Sequence, residues 1–213
     1  QFFGSNSNRQ ALIRLNSMSV ESDDFERHGL RPRVLEKGLT AFRSAITKGE
    51  TSSFIFTIID FELPSTEKRM WVINLETGEL LFHEQVTHGM GSDRNNDGRV
   101  DPDGLSNRNR SRQSNIGLLR TAETYYSSKF KGRSLRMDGL EDGFNDHARE
   151  RAIVMHPANY ADVEEGEKPG RSWGCPALDP DVSGAIIQTI KGGTLIFQYY
   201  PNPDWLEDSN YLK

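Results

Sequence analysis

The chain has 213 residues, of which 35% are hydrophobic, and a formal net charge of −5 at pH 7. This length predicts one catalytic domain with at most a small additional piece. No block of Lys and Arg residues and no run of 18 apolar residues occurs, which argues against nucleic acid as a partner and against a membrane-spanning helix. Gly-rich phosphate loops, dinucleotide fingerprints and Cys/His zinc motifs are also absent from the sequence.

The N-terminal part divides into a polar segment and a helix. Residues 1–31 are polar and irregular, which predicts a surface arm or short helices. From Pro32 onward, apolar residues recur at the spacing of one helix face, and Gly49 is a stop signal. We therefore expect an arm and a packing helix over 1–50, followed by a catalytic domain over 51–213, together forming one globular unit.

Strand patterns dominate the rest of the chain. The segment 76–78 (Glu-Thr-Gly) predicts a tight turn between two strands, and Asp179 or Asp181 is a candidate cap for a helix that ends before Gly192. These patterns predict an α+β fold that is mainly β, a β-sandwich or mixed sheet with a few packing helices. The predicted strands are 53–61, 70–75, 79–88, 120–130, 135–140, 151–155 and 194–200.

A loop rich in Asp, Asn, Arg and Gly follows the third predicted strand. It contains the D-x-[DN]-x-[DN]-G pattern of a calcium loop, in which alternate oxygen ligands converge on the cation. Gly104 stands at the twelfth position, where such loops carry a bidentate Glu. The sequence therefore leaves open a solvated acidic loop or a structural calcium ion. The candidate ligands are Asp93, Asn95, Asp97, the Arg99 carbonyl and Asp101.

Cys175 is the only cysteine, so it is a buried core thiol, half of an intermolecular disulfide, or a nucleophile. Its neighbours favour the third reading. Gly174 allows an unusual backbone conformation before the sulfur, and Pro176 fixes the chain after it. Trp173 can exclude water on one side. A core thiol would need none of these neighbours.

A nucleophilic thiol needs a base, and His156 is the candidate. It follows a short apolar run, 151–155, that is typical of a buried strand. Since a thiol with a pKa of about 8.5 is only about 3% ionised near pH 7, a neighbouring imidazole or oriented dipoles must activate it.

His156 and the string Gly-Arg-Ser-Trp-Gly-Cys-Pro-Ala at 170–177 resemble the murein L,D-transpeptidase catalytic family. The match is closest to the branch with Ser-Trp-Gly-Cys-Pro-Ala in place of the commoner Ser/Thr-His-Gly-Cys. Trp173 and Ala177 replace a His and an Arg of the commoner pattern, so the roles of those two residues are not carried over. Further matching elements lie at 57–61, 87–89, 105–107, 134–140 and 145–146.

The resemblance implies a mixed β fold of the L,D-transpeptidase type and acyl transfer on peptidoglycan stem peptides. Cys175 would attack the L-centre carbonyl of diaminopimelate, release D-alanine and form a thioester. The amine of a second stem peptide would resolve it into a 3–3 cross-link, or a free D-amino acid would exchange in. With water as the acceptor, the same site would be an L,D-carboxypeptidase. The chemistry requires no cofactor.

The resemblance also implies roles for the residues around the nucleophile. The backbone N–H groups of Trp173, Gly174 and Cys175 would form an oxyanion hole, and Ser172 would assist the Cys–His pair or bond within its loop. Arg171 would pair with a stem-peptide carboxylate. Further candidates for substrate binding are His88, Ser114, Asn115 and Tyr160.

The resemblance implies export to the periplasm or the cell wall. Because the chain begins at Gln1 without a signal sequence, we expect a mature or trimmed product. Two rival functions remain open: a non-catalytic, calcium-dependent wall-binding module, and another cysteine hydrolase. The order His then Cys and the string around Cys175 argue against a papain-like enzyme. The sequence gives no oligomeric state.

Overall fold

The computed structural model describes residues 22–213, so most of the predicted N-terminal arm lies outside the described residues. A short helix, α1, spans Ser22–Arg27, and α2 spans Pro32–Lys48. Pro32 occupies the first turn of α2, where its missing N–H costs nothing. Gly49 ends the helix in a left-handed conformation and donates its N–H to the last turn. The predicted packing helix is confirmed.

Eight strands form one mixed sheet in the order β3-β2-β1-β8-β4-β5-β6-β7. The pairs β1–β8 and β6–β7 are parallel, and the other neighbours are antiparallel. The predicted mainly-β mixed sheet is confirmed. The strands are β1 (Ile55–Asp60), β2 (Met70–Asn74), β3 (Glu79–Glu84), β4 (Gly117–Ser127), β5 (Gly132–Gly139), β6 (Val154–Pro157), β7 (Ala177–Leu178) and β8 (Leu195–Tyr199).

Alternation along the strands creates two apolar layers. In β1, Phe56 and Ile58 belong to the cluster that includes α2, whereas Ile59 belongs to the opposite cluster. The opposite cluster is covered by α3 (Pro180–Ile190), whose Asp179 side chain accepts the Asp181 N–H at 2.8 Å. Because α2 shares a core with β1 and β8, it holds the central strands from one side.

Several local features differ from the sequence predictions, including an unpredicted short strand, β7. The third strand ends at Glu84, so His88 lies in the following loop. His156 lies within β6 instead of after it. A C-terminal helix, α4 (Pro203–Asp208), was not predicted, and its Trp205 is fully buried. Within residues 22–213, no helix is long and apolar enough to cross a bilayer.

Candidate active site

The short parallel pair β6–β7 brings Cys175 and His156 to one cavity. His156 pairs with Ala177 in parallel register, so Val154 and Cys175, each two positions earlier, lie opposite each other, and the Val154 N–H donates to Cys175 Sγ at 3.5 Å. A cavity of about 610 Å³ opens at this point, and both Cys175 and His156 line it. The register of two short strands therefore places a thiol and an imidazole in the same space.

Cys175 is a buried thiol that reaches the cavity with only 8% of its surface exposed. Its S–H donates to the Ala152 carbonyl at 3.7 Å. Burial raises the pKa of the Cys175 thiol, and the Val154 N–H, Lys129 and Arg151 oppose this shift. Since burial dominates, the resting nucleophile is the neutral thiol and needs a base when it attacks.

His156 is suited to be that base. Its Nδ1 lies 2.8 Å from the Pro157 carbonyl oxygen, and because a carbonyl only accepts, Nδ1 carries the hydrogen. This tautomer leaves a lone pair on Nε2. Burial lowers the pKa of His156, which keeps the imidazole neutral at pH 7. Phe130 stacks on the ring at a centroid distance of 3.6 Å and fixes its plane.

The loop that carries the nucleophile is held in place by the side chains of Ser172 and Ser114. Ser172 Oγ donates to the Cys175 carbonyl at 2.6 Å and accepts the Gly174 N–H at 3.0 Å. Ser114 Oγ donates to the Gly174 carbonyl at 3.1 Å and accepts the Gly89 N–H at 3.0 Å. The Gly174 N–H, one of the three predicted oxyanion donors, is thus bound to Ser172 in this structure.

Gly174 is required by its backbone conformation and its surroundings. Its φ is +118°, and an added Cβ would lie 2.6 Å from the Gln113 carbonyl oxygen. We expect Gly174→Ala to lower the free energy of unfolding by about 1–3 kcal/mol and to displace Cys175, which lowers activity as well. Gly184→Ala is the matched control, because Gly184 lies in α3 with open space around it and alanine favours a helix.

Urea unfolding and activity assays on both variants test this expectation. Stability should fall in Gly174→Ala and stay equal or rise in Gly184→Ala. Equal stability and activity in the two variants would show that the geometry at Gly174 imposes no constraint.

His88 is part of a buried chain of polar groups behind the nucleophile loop. Arg69 donates to the Val86 carbonyl at 2.9 Å and to His88 Nδ1 at 2.8 Å. His88 Nε2 then faces the Asp93 carboxylate at 3.3 Å. The His88 carbonyl accepts the Ser172 N–H at 2.9 Å. The structure therefore places His88 behind the cavity, where it supports the loop that ends at Cys175, and not among the cavity-lining residues.

The predicted calcium loop is held by its own hydrogen bonds. Both carboxylate oxygens of Asp93 accept N–H groups of the loop backbone at 3.0 Å. The Asp101 carboxylate accepts from Arg94 Nε at 2.9 Å. Within residues 22–213, no three His, Cys, Asp or Glu side chains are grouped as a metal site requires. Calcium binding stays a prediction, which calorimetry with calcium tests.

The other predicted binding residues separate into two groups. Arg171, Trp173 and Tyr160 line the cavity, and the Arg171 guanidinium also donates to the Asp93 carbonyl. Ser114 and Asn115 are fully buried, and Ser114 acts through its contacts with the nucleophile loop. These two residues lie behind the cavity wall and are not part of its lining.

Seven of the cavity-lining residues were not named as site residues by the sequence analysis, and three of these seven, Lys129, Phe130 and Arg151, act on His156 or Cys175. Arg151 is held by the Gln113 carbonyl at 2.6 Å and by Ser111 Oγ at 3.2 Å, and its charge opposes the raised pKa of Cys175. Its position as the first residue of the segment 151–155 was the only available signal. Lys129 and Phe130 come from the β4–β5 turn, whose approach to the site depends on strand pairing.

The model of the L,D-transpeptidase catalytic domain family matches residues 26–199, a range that contains the whole cavity lining. No curated protein matches this chain. The chain is similar to the solved L,D-transpeptidase from Mycobacterium smegmatis, with 13% identity, a TM-score of 0.44, and coverage of 70% of this chain and 59% of that chain.

Two further solved structures are similar at low identity. For the L,D-transpeptidase from Stackebrandtia nassauensis, the identity is 16%, the TM-score 0.38, and the coverage 84% of this chain and 75% of that chain. For the L,D-transpeptidase from Xylanimonas cellulosilytica, the identity is 14%, the TM-score 0.36, and the coverage 74% and 68%. The chain thus spans about three fifths of the Mycobacterium protein and more of the other two.

Proposed function

We propose that this chain, which belongs to the L,D-transpeptidase catalytic domain family, transfers acyl groups between peptidoglycan stem peptides through a thioester on Cys175. One observation carries the proposal: the neutral thiol of Cys175 and the neutral imidazole of His156 line the same cavity. A thiol and a base held in this way can perform acyl transfer without a metal or an organic cofactor.

In the first half-reaction, Cys175 Sγ attacks the carbonyl carbon of the L-centre of diaminopimelate while the thiol proton moves to His156 Nε2. The carbonyl oxygen becomes an oxyanion, which the N–H groups of Trp173 and Cys175 stabilise, since the Gly174 N–H is bound to Ser172. The C–N bond then breaks, and His156 gives its proton to the leaving amine of D-alanine. The thioester remains on Cys175.

In the second half-reaction, an amine attacks the thioester carbon and His156 accepts the amine proton. The C–S bond breaks, and the proton returns from His156 to the sulfur, so the thiol and the imidazole end as they began. The charges of Lys129 and Arg151 favour the departing thiolate during this step.

An amine acceptor is favoured over water by the space around Trp173. A second cavity of about 420 Å³ adjoins the first and shares three lining residues with it, Arg151, Ile153 and Trp173. Two adjoining cavities provide room for a donor on one side and an acceptor on the other. Hydrolysis to a tripeptide, the L,D-carboxypeptidase reaction, needs only the first cavity.

The substrate of this proposal is cell-wall peptidoglycan, so the proposal requires an exported protein that acts in the periplasm or the cell wall. Nothing in this mechanism uses the loop at 93–101 or a bound calcium ion. The wall-binding alternative, in which the thiol is idle, makes the opposite prediction about Cys175.

Mass spectrometry of purified muropeptides incubated with the protein tests the proposed function. We expect D-alanine release together with new 3–3 dimers or exchanged terminal D-residues. Conversion of tetrapeptides to tripeptides without dimers would identify water as the acceptor. If muropeptides do not change, the chain is a binding module and the proposal fails.

A further inference from the structure

The second cavity has an unusual charge for this protein. Its lining contains three arginines, Arg110, Arg112 and Arg151, and no carboxylate, although the chain has a net charge of −5. The remaining lining residues are Asn109, Ile153 and Trp173. Positive side chains without a negative neighbour create a potential that attracts anions.

The partners of these arginines are neutral. Arg151 donates to backbone carbonyls and to Ser111, and Arg112 donates to Met90 Sδ at 3.6 Å and lies over the Trp173 ring at 4.9 Å. Among residues 22–213, no carboxylate lies within 4.0 Å of Arg110, Arg112 or Arg151, whereas the exposed Arg149 binds both Glu123 and Asp138. The positive charge of this cavity is therefore not neutralised by the described part of the chain.

The backbone of Arg110 and Arg112 adopts an unfavourable conformation. Arg110 and Arg112 have φ values of +60° and +57°, which side-chain-bearing residues adopt at a cost of about 1 kcal/mol or more each. The Arg112 carbonyl accepts the Gly91 N–H at 2.9 Å, which ties this strained segment to the loop beside the nucleophile. This backbone keeps the Arg112 guanidinium over Trp173, and Arg110 lines the same cavity.

We propose that the second cavity binds the carboxylate of the acceptor, so that the preferred acceptor is an amine with a carboxylate on the same carbon. This inference rests on the proposed function. Because the two cavities share Arg151, Ile153 and Trp173, a carboxylate held by Arg110 and Arg112 places the attached amine toward the thioester at Cys175. Guanidinium groups bind carboxylates in a two-point geometry that also orients the ligand.

Acceptor competition in the full chain tests this inference. Tetrapeptide is the donor, and the acceptors are D-methionine and D-methioninamide, which differ only in the carboxylate. The measured quantity is the ratio of kcat/KM for the two acceptors, because damage to the donor half-reaction lowers both values equally. We expect Arg112→Gln and Arg110→Gln each to lower this ratio about tenfold, the loss expected for one charged hydrogen bond.

Arg133→Gln is the matched control, because Arg133 is an exposed arginine whose side chain contacts Gln188 away from the second cavity. We expect its ratio to equal that of the wild type. Two acceptors carry an amine and a carboxylate on the same carbon: a free D-amino acid and the D-centre of a second stem peptide. Tetrapeptide amidated at its D-centre carboxylate distinguishes them: loss of dimer formation identifies the stem peptide as a ligand of this cavity.

A ratio that is the same in the wild type, Arg110→Gln and Arg112→Gln would overturn the inference. A binding measurement separates this failure from failure of the proposed function. In saturation-transfer NMR on Cys175→Ala protein, D-methionine should bind more tightly than D-methioninamide, and Arg112→Gln should remove the difference. Absence of Cys175-dependent D-alanine release would contradict the proposed function alone, and equal binding of the two amines would contradict the carboxylate site alone.

Discussion

Cys175→Ala is expected to reduce D-alanine release from tetrapeptide by about 10³-fold or more, because removing a covalent nucleophile eliminates the intermediate and leaves only binding and the oxyanion donors. The substitution should leave the fold intact. The lost sulfur forms hydrogen bonds to the Val154 N–H and the Ala152 carbonyl, both at the long distances typical of sulfur. Release of D-alanine by chromatography and the thermal midpoint together measure the two effects.

Binding of tetrapeptide to Cys175→Ala, followed by calorimetry, is the control for an intact cavity. We expect binding within a few-fold of the wild type, since the cavity lining is otherwise unchanged. Undiminished D-alanine release in this variant would exclude the thioester mechanism. If Cys175→Ala loses its fold as well as its activity, the same measurements are made on Cys175→Ser, which keeps the size of the side chain.

His156→Gln is expected to lower kcat/KM for D-alanine release by about 10²–10⁴-fold, the usual contribution of a general base. Without His156, the thiol has no proton acceptor at neutral pH, and burial holds the pKa of Cys175 above its ordinary value. The activity of the variant should therefore rise with pH as the thiolate forms. Rates measured from pH 5 to pH 10 test this expectation.

The wild-type protein should show a different pH dependence. Burial lowers the pKa of His156 below its usual 6.5, so the imidazole is the neutral base at pH 7 and the rate falls only as the pH drops through that lowered pKa. His147→Gln is the matched control, because its exposed side chain lies away from the cavity. A His156→Gln profile that matches the wild type in height and shape would exclude His156 as the base.

The sequence was informative where a residue and its immediate neighbours in the chain determine the local structure. Cys175 is unique in the chain, and its Gly and Pro neighbours indicate a special backbone, which the positive φ of Gly174 provides. The helix from Pro32 and the hairpin at 76–78 follow from periodicity and local stop signals, so the structure confirms both.

The sequence was less informative where side chains meet through tertiary structure. His88 follows a strand pattern and lies next to Gly89, which suggested a pocket residue, yet its role depends on Arg69, 19 positions earlier in the chain. The loop at 93–101 has the composition of a calcium site, and the sequence did not indicate that the carboxylates of Asp93 and Asp101 accept hydrogen bonds from the loop backbone and Arg94. Such competition between partners cannot be read from spacing.

The three arginines of the second cavity could not be predicted from the sequence for the same reason. Arg110 and Arg112 lie in one loop and Arg151 in the turn before β6, and the net charge of −5 conceals them. Only the pairing of β5 with β6 and the packing of the loop bring them to one cavity.

Intact-protein mass spectrometry after acid quench tests the thioester most directly. The wild-type protein is mixed with tetrapeptide in the absence of an added amine acceptor, and samples are quenched over time. We predict a transient mass increase equal to tetrapeptide minus D-alanine, located on Cys175 by peptide mapping and absent from Cys175→Ala. Release of D-alanine with no adduct on Cys175 at any time, or an adduct that persists in Cys175→Ala, would contradict the mechanism.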